Sequence, residues 1–238
     1  EPDRVGHALF DEDLIHTTGF EHIELLVKIR EDSEAAFAES RRGIIRENGP
    51  VTIAFEVIFP SIELLICGSG PDVGPLVDIA AQLDWNLTVI DHRPVEYAHP
   101  ERFPRARVIE CPDPKSLSDT VSITRATAAV VMSHNYGRDL DYVRTLLGTE
   151  VGYIGILGPR ARTERMLADI ASAGETITRG DRIYSPVGLD TGGDGPERIA
   201  LSIIAEVAAV ISGTSAGHLR DSRGSLHPAP AREVAEKS

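Results

Sequence analysis

The sequence predicts an α/β fold, a doubly wound parallel sheet preceded by a small α+β N-terminal segment, and three observations predict it. Short apolar runs recur from residue 61 onward, at 64–67, 86–90, 128–133 and 151–157. Helix-like segments separate them, and strands apolar along their whole length belong to a sheet covered on both faces. The first run stops at a glycine-rich turn, Gly68-Ser69-Gly70-Pro71-Asp72-Val73-Gly74, and leads into a helix-like stretch through residue 83.

Before residue 60 the chain mixes β-like runs at 8–10, 22–29 and 51–58 with one helical stretch from Ser33 to about Glu47. Ser33 is the expected N-cap there, and Ala36, Phe37, Ile44 and Ile45 recur at helical spacing. Pro60-Ser61 marks a boundary. Beyond it the alternation runs on: a strand at 86–90 ending in Asp91, a strand at 106–110, a helix near 116–125, a strand at 128–133 and a helix at 138–147. A strand at 151–157, a helix at 159–171 and a short strand at 182–185 follow. The last helix opens at Asp194-Gly195-Pro196-Glu197, with proline at the first helical position and an apolar stripe of Ile199, Ile203, Val207 and Ile211. The expected division is a small α+β domain over 1–60, truncated if the chain is a fragment as its opening at Glu1 suggests, a Rossmann-like domain over 61–212, and a loose polar tail over 213–238.

Composition narrows the function. With 24 basic and 37 acidic residues the formal charge is −13, which disfavours nucleic acid and anionic membranes as partners. No apolar stretch approaches the ~18 to 20 residues of a membrane span, and no export signal opens the chain. The two cysteines, Cys67 and Cys111, match neither a disulfide framework nor a zinc site. A cytoplasmic protein with no metal site of its own is the expectation.

The glycine turn carries the strongest chemical signal. Glycines let a backbone turn tightly against a pyrophosphate, a helix N-terminus supplies free N–H donors, and a carboxylate about 20 residues on accepts from ribose hydroxyls. Asp91 stands 23 residues past Gly68 and fits that acid. The spacing is G-x-G-x-x-x-G over Gly68, Gly70 and Gly74, with Pro71-Asp72 inserted, and Asp72 repels an anion unless it turns away or caps the helix. His92 and Arg93 follow the acid, and an arginine there suits a 2′-phosphate, so NAD and NADP both stay open. A purely structural turn is the plainer alternative.

Ligands of such sheets sit beyond the carboxyl ends of the strands, which directs attention to three loops. Ser133-His134-Asn135 follows one strand, and His134 suits a general base, a ligand contact or a satisfied strand-end histidine. Gly158-Pro159-Arg160-Ala161-Arg162 follows another; cations at a helix start oppose the macrodipole and point to an anion site through Arg160 and Arg162, against the alternative of a solvated helix face. The third loop, residues 185–194, is glycine-rich and reads as either a close backbone approach or a plain connector. Hydrolase, P-loop and zinc motifs are lacking, no catalytic residue is singled out, and Cys67 reads as a core residue.

The segments 129–136 with Asp139-Leu140 behind them, 153–165, 186–190 and 196–200, together with Asp91-His92-Arg93-Pro94, resemble the XdhC/CoxI family of xanthine dehydrogenase accessory proteins over roughly 61–212. Asp11-Glu12-Asp13-Leu14-Ile15 resembles the latter part of that family's N-terminal domain. The resemblance implies a cofactor-insertion chaperone, not itself an enzyme, that holds molybdenum cofactor and serves an apo-molybdoenzyme of the xanthine dehydrogenase type. It further implies that Gly68, Ser69, Gly70 and Asp91 line a nucleotide-like site faced by Ser133, His134, Asn135, Gly158, Arg160 and Arg162. The chain departs from many relatives in lacking an N-terminal glycine-cysteine motif and in its Pro71-Asp72 turn. The competing readings are an NAD(P)-dependent oxidoreductase and a nucleotide-sensing Rossmann module. A homodimer is the ordinary expectation for such a domain.

Overall fold

The computed structural model describes residues 7–10, 15–18, 27, 29–34, 43–48, 51–56, 61–221 and 231–234. Two compact units divide the chain, one formed by residues 1–59 with 218–238 and the other by 60–217. Among the described residues no helix is long and apolar enough to cross a membrane.

In the first unit, His7–Phe10 pairs antiparallel with Ile15–Thr18. A three-stranded sheet places Gly43–Asn48 between Val51–Glu56, antiparallel, and Ala231–Val234, parallel. Three expectations are corrected here. Residues 27 and 29 are helical rather than part of a strand, the rest of that predicted run (22–26 and 28) lying outside the described residues. Ser33 sits inside a helical segment spanning 29–34, its Oγ donating to the Arg30 carbonyl at 2.7 Å, rather than capping the start of a helix. Ile44 and Ile45 are in a strand that pairs Asn48 with Val51, where β-branched side chains fit and where the Gly49-Pro50 dipeptide between is a turn signal that outweighs the helical spacing. The tail is likewise not wholly loose, since Ala231–Val234 completes the sheet by main-chain pairing that no local composition reveals.

The second unit is a Rossmann-like α/β layer structure. Its strands are β1 (Glu63–Cys67), β2 (Asn86–Asp91), β3 (Arg107–Glu110), β4 (Thr127–Val131), β5 (Tyr153–Ile156) and β6 (Ile183–Tyr184). They form one parallel sheet in the order β6-β5-β4-β1-β2-β3. The helices are α1 (Val73–Ala80), α2 (Val95–Ala98), α3 (Leu117–Thr120), α4 (Tyr136–Leu147), α5 (Arg160–Ser172) and α6 (Pro196–Ile211). The helix expected over 116–125 ends at Thr120, because Val121 is extended and opens a β-branched stretch.

Alternation along β1 explains the layers. Leu64 and Ile66 face a cluster with Val73, Leu76 and Val77 of α1 and Ile203 and Val207 of α6, whereas Leu65 and Cys67 face Tyr142, Val143 and Leu146 of α4 and Met166 of α5. Ile66 is fully buried, so Ile66→Ala would leave a cavity costing about 2–5 kcal/mol. Because α1 and α4 cover opposite faces, the chain leaves the adjacent strands β1 and β4 in opposite directions, and their carboxyl ends frame the switch-point crevice.

Candidate functional site at the switch point

The turn after β1 is shaped by one close approach. Gly68 has φ +130°, and a Cβ there would lie 2.7 Å from the Met132 carbonyl oxygen and 2.8 Å from Ser133 Cα, so the turn crosses directly over the exit of β4. Gly70 is similarly confined, its missing Cβ pointing at Asp72 Oδ1 (2.7 Å) and the His134 ring (3.4 Å). Gly74, inside α1, has open space around it and no packing need for glycine. The backbone N–H groups of Ser69, Gly70 and Asp72 have no hydrogen-bond partner among the described residues, and they lie at the start of α1, where the dipole favours an anion.

Asp72 is paired rather than bare. His134 Nε2 lies 2.9 Å from Asp72 Oδ2, tying the loop after β4 to the start of α1. His134 adopts φ +58°, a left-handed conformation unusual for a side-chain-bearing residue. Asp72 makes no hydrogen bond to cap its helix, and its Oδ1 is buried without a partner. Pro71 is exposed beside it.

At the end of β2, Asp91 is buried, and both of its oxygens are fully engaged. Oδ1 accepts from the Arg93 backbone N–H and Nε, each at 2.9 Å; Oδ2 accepts from Arg93 Nη2 at 2.8 Å and from the Ser69 hydroxyl. Burial opposes ionisation of Asp91, but the hydrogen bonds from Arg93 and Ser69 outweigh it and hold the carboxyl well below the usual range. His92 Nδ1 stands 3.4 Å from the same carboxylate. Arg102 completes this side, donating to the carbonyls of Ser69 (3.1 Å) and Gly70 (3.0 Å) and so bringing a cation to the glycine turn.

A second network joins β4 to β5. Asp139, fully buried in the first turn of α4, accepts from the Ser133 N–H (3.1 Å) and hydroxyl through Oδ1 and from Arg162 Nη2 (2.6 Å) through Oδ2. Arg162 also lies over the Tyr136 ring, and Tyr136 donates to Asp169 at 2.7 Å. Asn135 is the N-cap of α4, accepting from the Arg138 N–H at 3.1 Å. Gly158 has φ +122° and borders Arg162. Arg160 points outward, 79% exposed, with Glu164 at 3.6 Å its one ion-pair partner among the described residues.

The structure thus gathers Gly68, Ser69, Gly70, Asp72 and His134 around the turn, with Asp91 and Arg93 held against it through Ser69. Ser133 and Arg162 meet on Asp139. Gly74 and Arg160 stand apart from both groups. Sequence reasoning passed over Arg102 and gave Asp139 no role; the first ends a single 3-10 turn, Pro100–Arg102, with no motif, and the second is one acid among many on a helix. The glycine-rich 185–194 loop makes its close approach internally: a Cβ on Gly188 would lie 2.4 Å from Ser202 Oγ of α6.

Fold and site together define a Rossmann-like α/β domain with its glycine turn at the switch point. The chain belongs to the XdhC family: residues 64–207 match the XdhC Rossmann domain. It is 35% identical over 150 residues to a Bacillus subtilis (strain 168) protein named as a probable xanthine dehydrogenase subunit; the match covers 63% of this chain and 43% of that one. An uncharacterised Escherichia coli K12 protein, YqeB, is 24% identical over 155 residues, 65% of this chain and 28% of its own. A crystal structure described as a xanthine dehydrogenase from Bacillus halodurans superposes with a TM-score of 0.66 at 30% identity, covering 88% of this chain and 58% of that one. This chain spans less than half the length of the two curated relatives it matches.

Proposed function

We propose that this chain is an accessory protein for a molybdenum hydroxylase of the xanthine dehydrogenase type, binding molybdenum cofactor by its phosphate at the glycine turn and assisting its insertion into the apoenzyme. The observation that carries the reading is the set of three N–H groups on Ser69, Gly70 and Asp72 that have no partner among the described residues, in a turn whose Ser69 and Gly70 carbonyls hold the Arg102 guanidinium. An anion there gains N–H donors, a helix dipole and a cation at once. When bound, the cofactor supplies the redox-active molybdenum centre that the hydroxylase uses. The chain's own residues bind and orient: the turn and Arg102 take the phosphate, and the Asp72–His134 pair borders the same turn. In this reading the chain is a cytoplasmic homodimer that performs no turnover of its own.

Equilibrium binding of isolated molybdenum cofactor, NAD(H) and NADP(H) to the purified chain and to Arg102→Gln tests the reading. Cofactor binding weakened about tenfold in the variant, the size of one charge-assisted contact, supports it. Binding of a pyridine nucleotide with no cofactor affinity overturns it in favour of a nucleotide sensor, or of an oxidoreductase if turnover accompanies it.

A further inference from the structure

We propose that Arg93 is a specificity-determining residue that closes this site to NAD(H), by using up the carboxylate that a dinucleotide's ribose would need. The inference rests on the glycine turn being a phosphate site, and it narrows the ligand to a phosphate-bearing molecule that needs no acid for a ribose diol.

A carboxylate offers about four acceptor positions. On Asp91 all are taken: two by Arg93 N–H and Nε on Oδ1, two by Ser69 Oγ and Arg93 Nη2 on Oδ2. Its side chain is only 3% exposed. A ribose diol can bond to it only by displacing partners. The Arg93 side chain spans both oxygens and also donates from Nη2 to Ser69 Oγ at 2.9 Å, so it cannot leave one oxygen without loosening the whole cluster. Ser69 is at the same time the middle residue of the glycine turn, and its carbonyl is held by Arg102. The turn and the acid are therefore locked to each other, with the phosphate donors left free and the ribose acceptors spent.

Removing the Arg93 side chain reverses this selectively. The backbone N–H of residue 93 and Ser69 Oγ keep one bond to each oxygen, and one acceptor position on each is released, a pair matched to two adjacent hydroxyls. Binding of NADH by its fluorescence, and of inorganic pyrophosphate by calorimetry, is measured on the wild-type chain, Arg93→Met and Ser69→Ala. The expected result is an NADH affinity at least about tenfold higher in Arg93→Met than in wild type, the gain of hydrogen bonds to a charged acceptor. A smaller gain is expected in Ser69→Ala, which frees one position and reads the same effect should Arg93→Met fail to fold. NADH affinity no higher in any folded variant than in wild type overturns the inference, whatever pyrophosphate does. Failure of pyrophosphate to bind the wild-type chain instead counts against the phosphate site itself, so the two failures are told apart.

Discussion

Arg162 Nη2 lies 2.6 Å from Asp139 Oδ2, and this contact joins the exits of β4 and β5 through a single buried carboxylate. The other carboxylate oxygen receives the Ser133 N–H and hydroxyl, so the loop after β4 and the start of α5, 29 residues apart in sequence, depend on one side chain. Asp139→Ala is expected to destabilise the domain by about 3 kcal/mol, because it leaves a partly buried guanidinium and the Ser133 donors without their acceptor. Chemical denaturation of Asp139→Ala, Arg162→Ala and the double variant should give a coupling of about 1–3 kcal/mol. Strict additivity would contradict the shared network.

Two glycines of the same glycine-rich stretch, Gly68 in the turn and Gly74 in α1, should respond oppositely to alanine. Gly68→Ala meets both a positive φ of +130° and a backbone oxygen at 2.7 Å, and is expected to cost about 2 kcal/mol or more. Gly74→Ala adds a methyl into open space within α1 and should raise stability by up to about 1 kcal/mol. Thermal melts of the two single variants check the contrast.

The acid limb of the stability curve should depend on Asp91. Its carboxyl is held well below the unfolded value of about 3.9, so the native state resists protonation more than the unfolded chain does. The stabilisation is therefore fully present above the unfolded pKa and is lost as pH falls from about 5 down through the native value. Asp91→Asn should flatten the dependence of unfolding free energy on pH in that window while leaving the neutral-to-alkaline slope unchanged.

The Cys67 thiol is fully buried, and burial pushes its pKa far up, with the Asp139 charge adding to the effect. A thiol so placed is a poor nucleophile. Alkylation of Cys67 by iodoacetamide should be undetectable in the folded chain and rapid after denaturation, read by peptide mass spectrometry. Labelling under native conditions would contradict the reading of Cys67 as an inert core residue.

Most of the second unit was legible in the sequence because its signals are local. Apolar runs marked the strands of a doubly covered sheet, Pro196 marked the start of α6, and glycines after β1 marked the turn. In the first unit local signals competed: helical spacing at Ile44 and Ile45 lost to β-branching and a turn signal, and the Ala231–Val234 strand depends on a partner nearly two hundred residues away. The polar site divided along the same line. Asn135 acts on its own helix and Asp91 stands where the motif puts it, but Arg102 reaches back across 32 and 33 residues to the glycine turn, a pairing no spacing rule encodes.

The sequence by itself determined the class of fold, the place of the glycine turn and the family, since periodicity, turn chemistry and motif order all act over short stretches of chain. Only the tertiary structure decided which donors and acceptors remain available for a ligand. Asp91 reads from sequence as a free ribose acceptor and is instead saturated by Ser69 and Arg93; Asp72 reads as a repelling charge and is instead bound to His134. The reason is physical: a polar group's chemistry depends on which of its hydrogen-bonding positions are already filled, and here Ser69 and His134 arrive from the exits of neighbouring strands while the Arg93 side chain folds back onto an acid two residues before it.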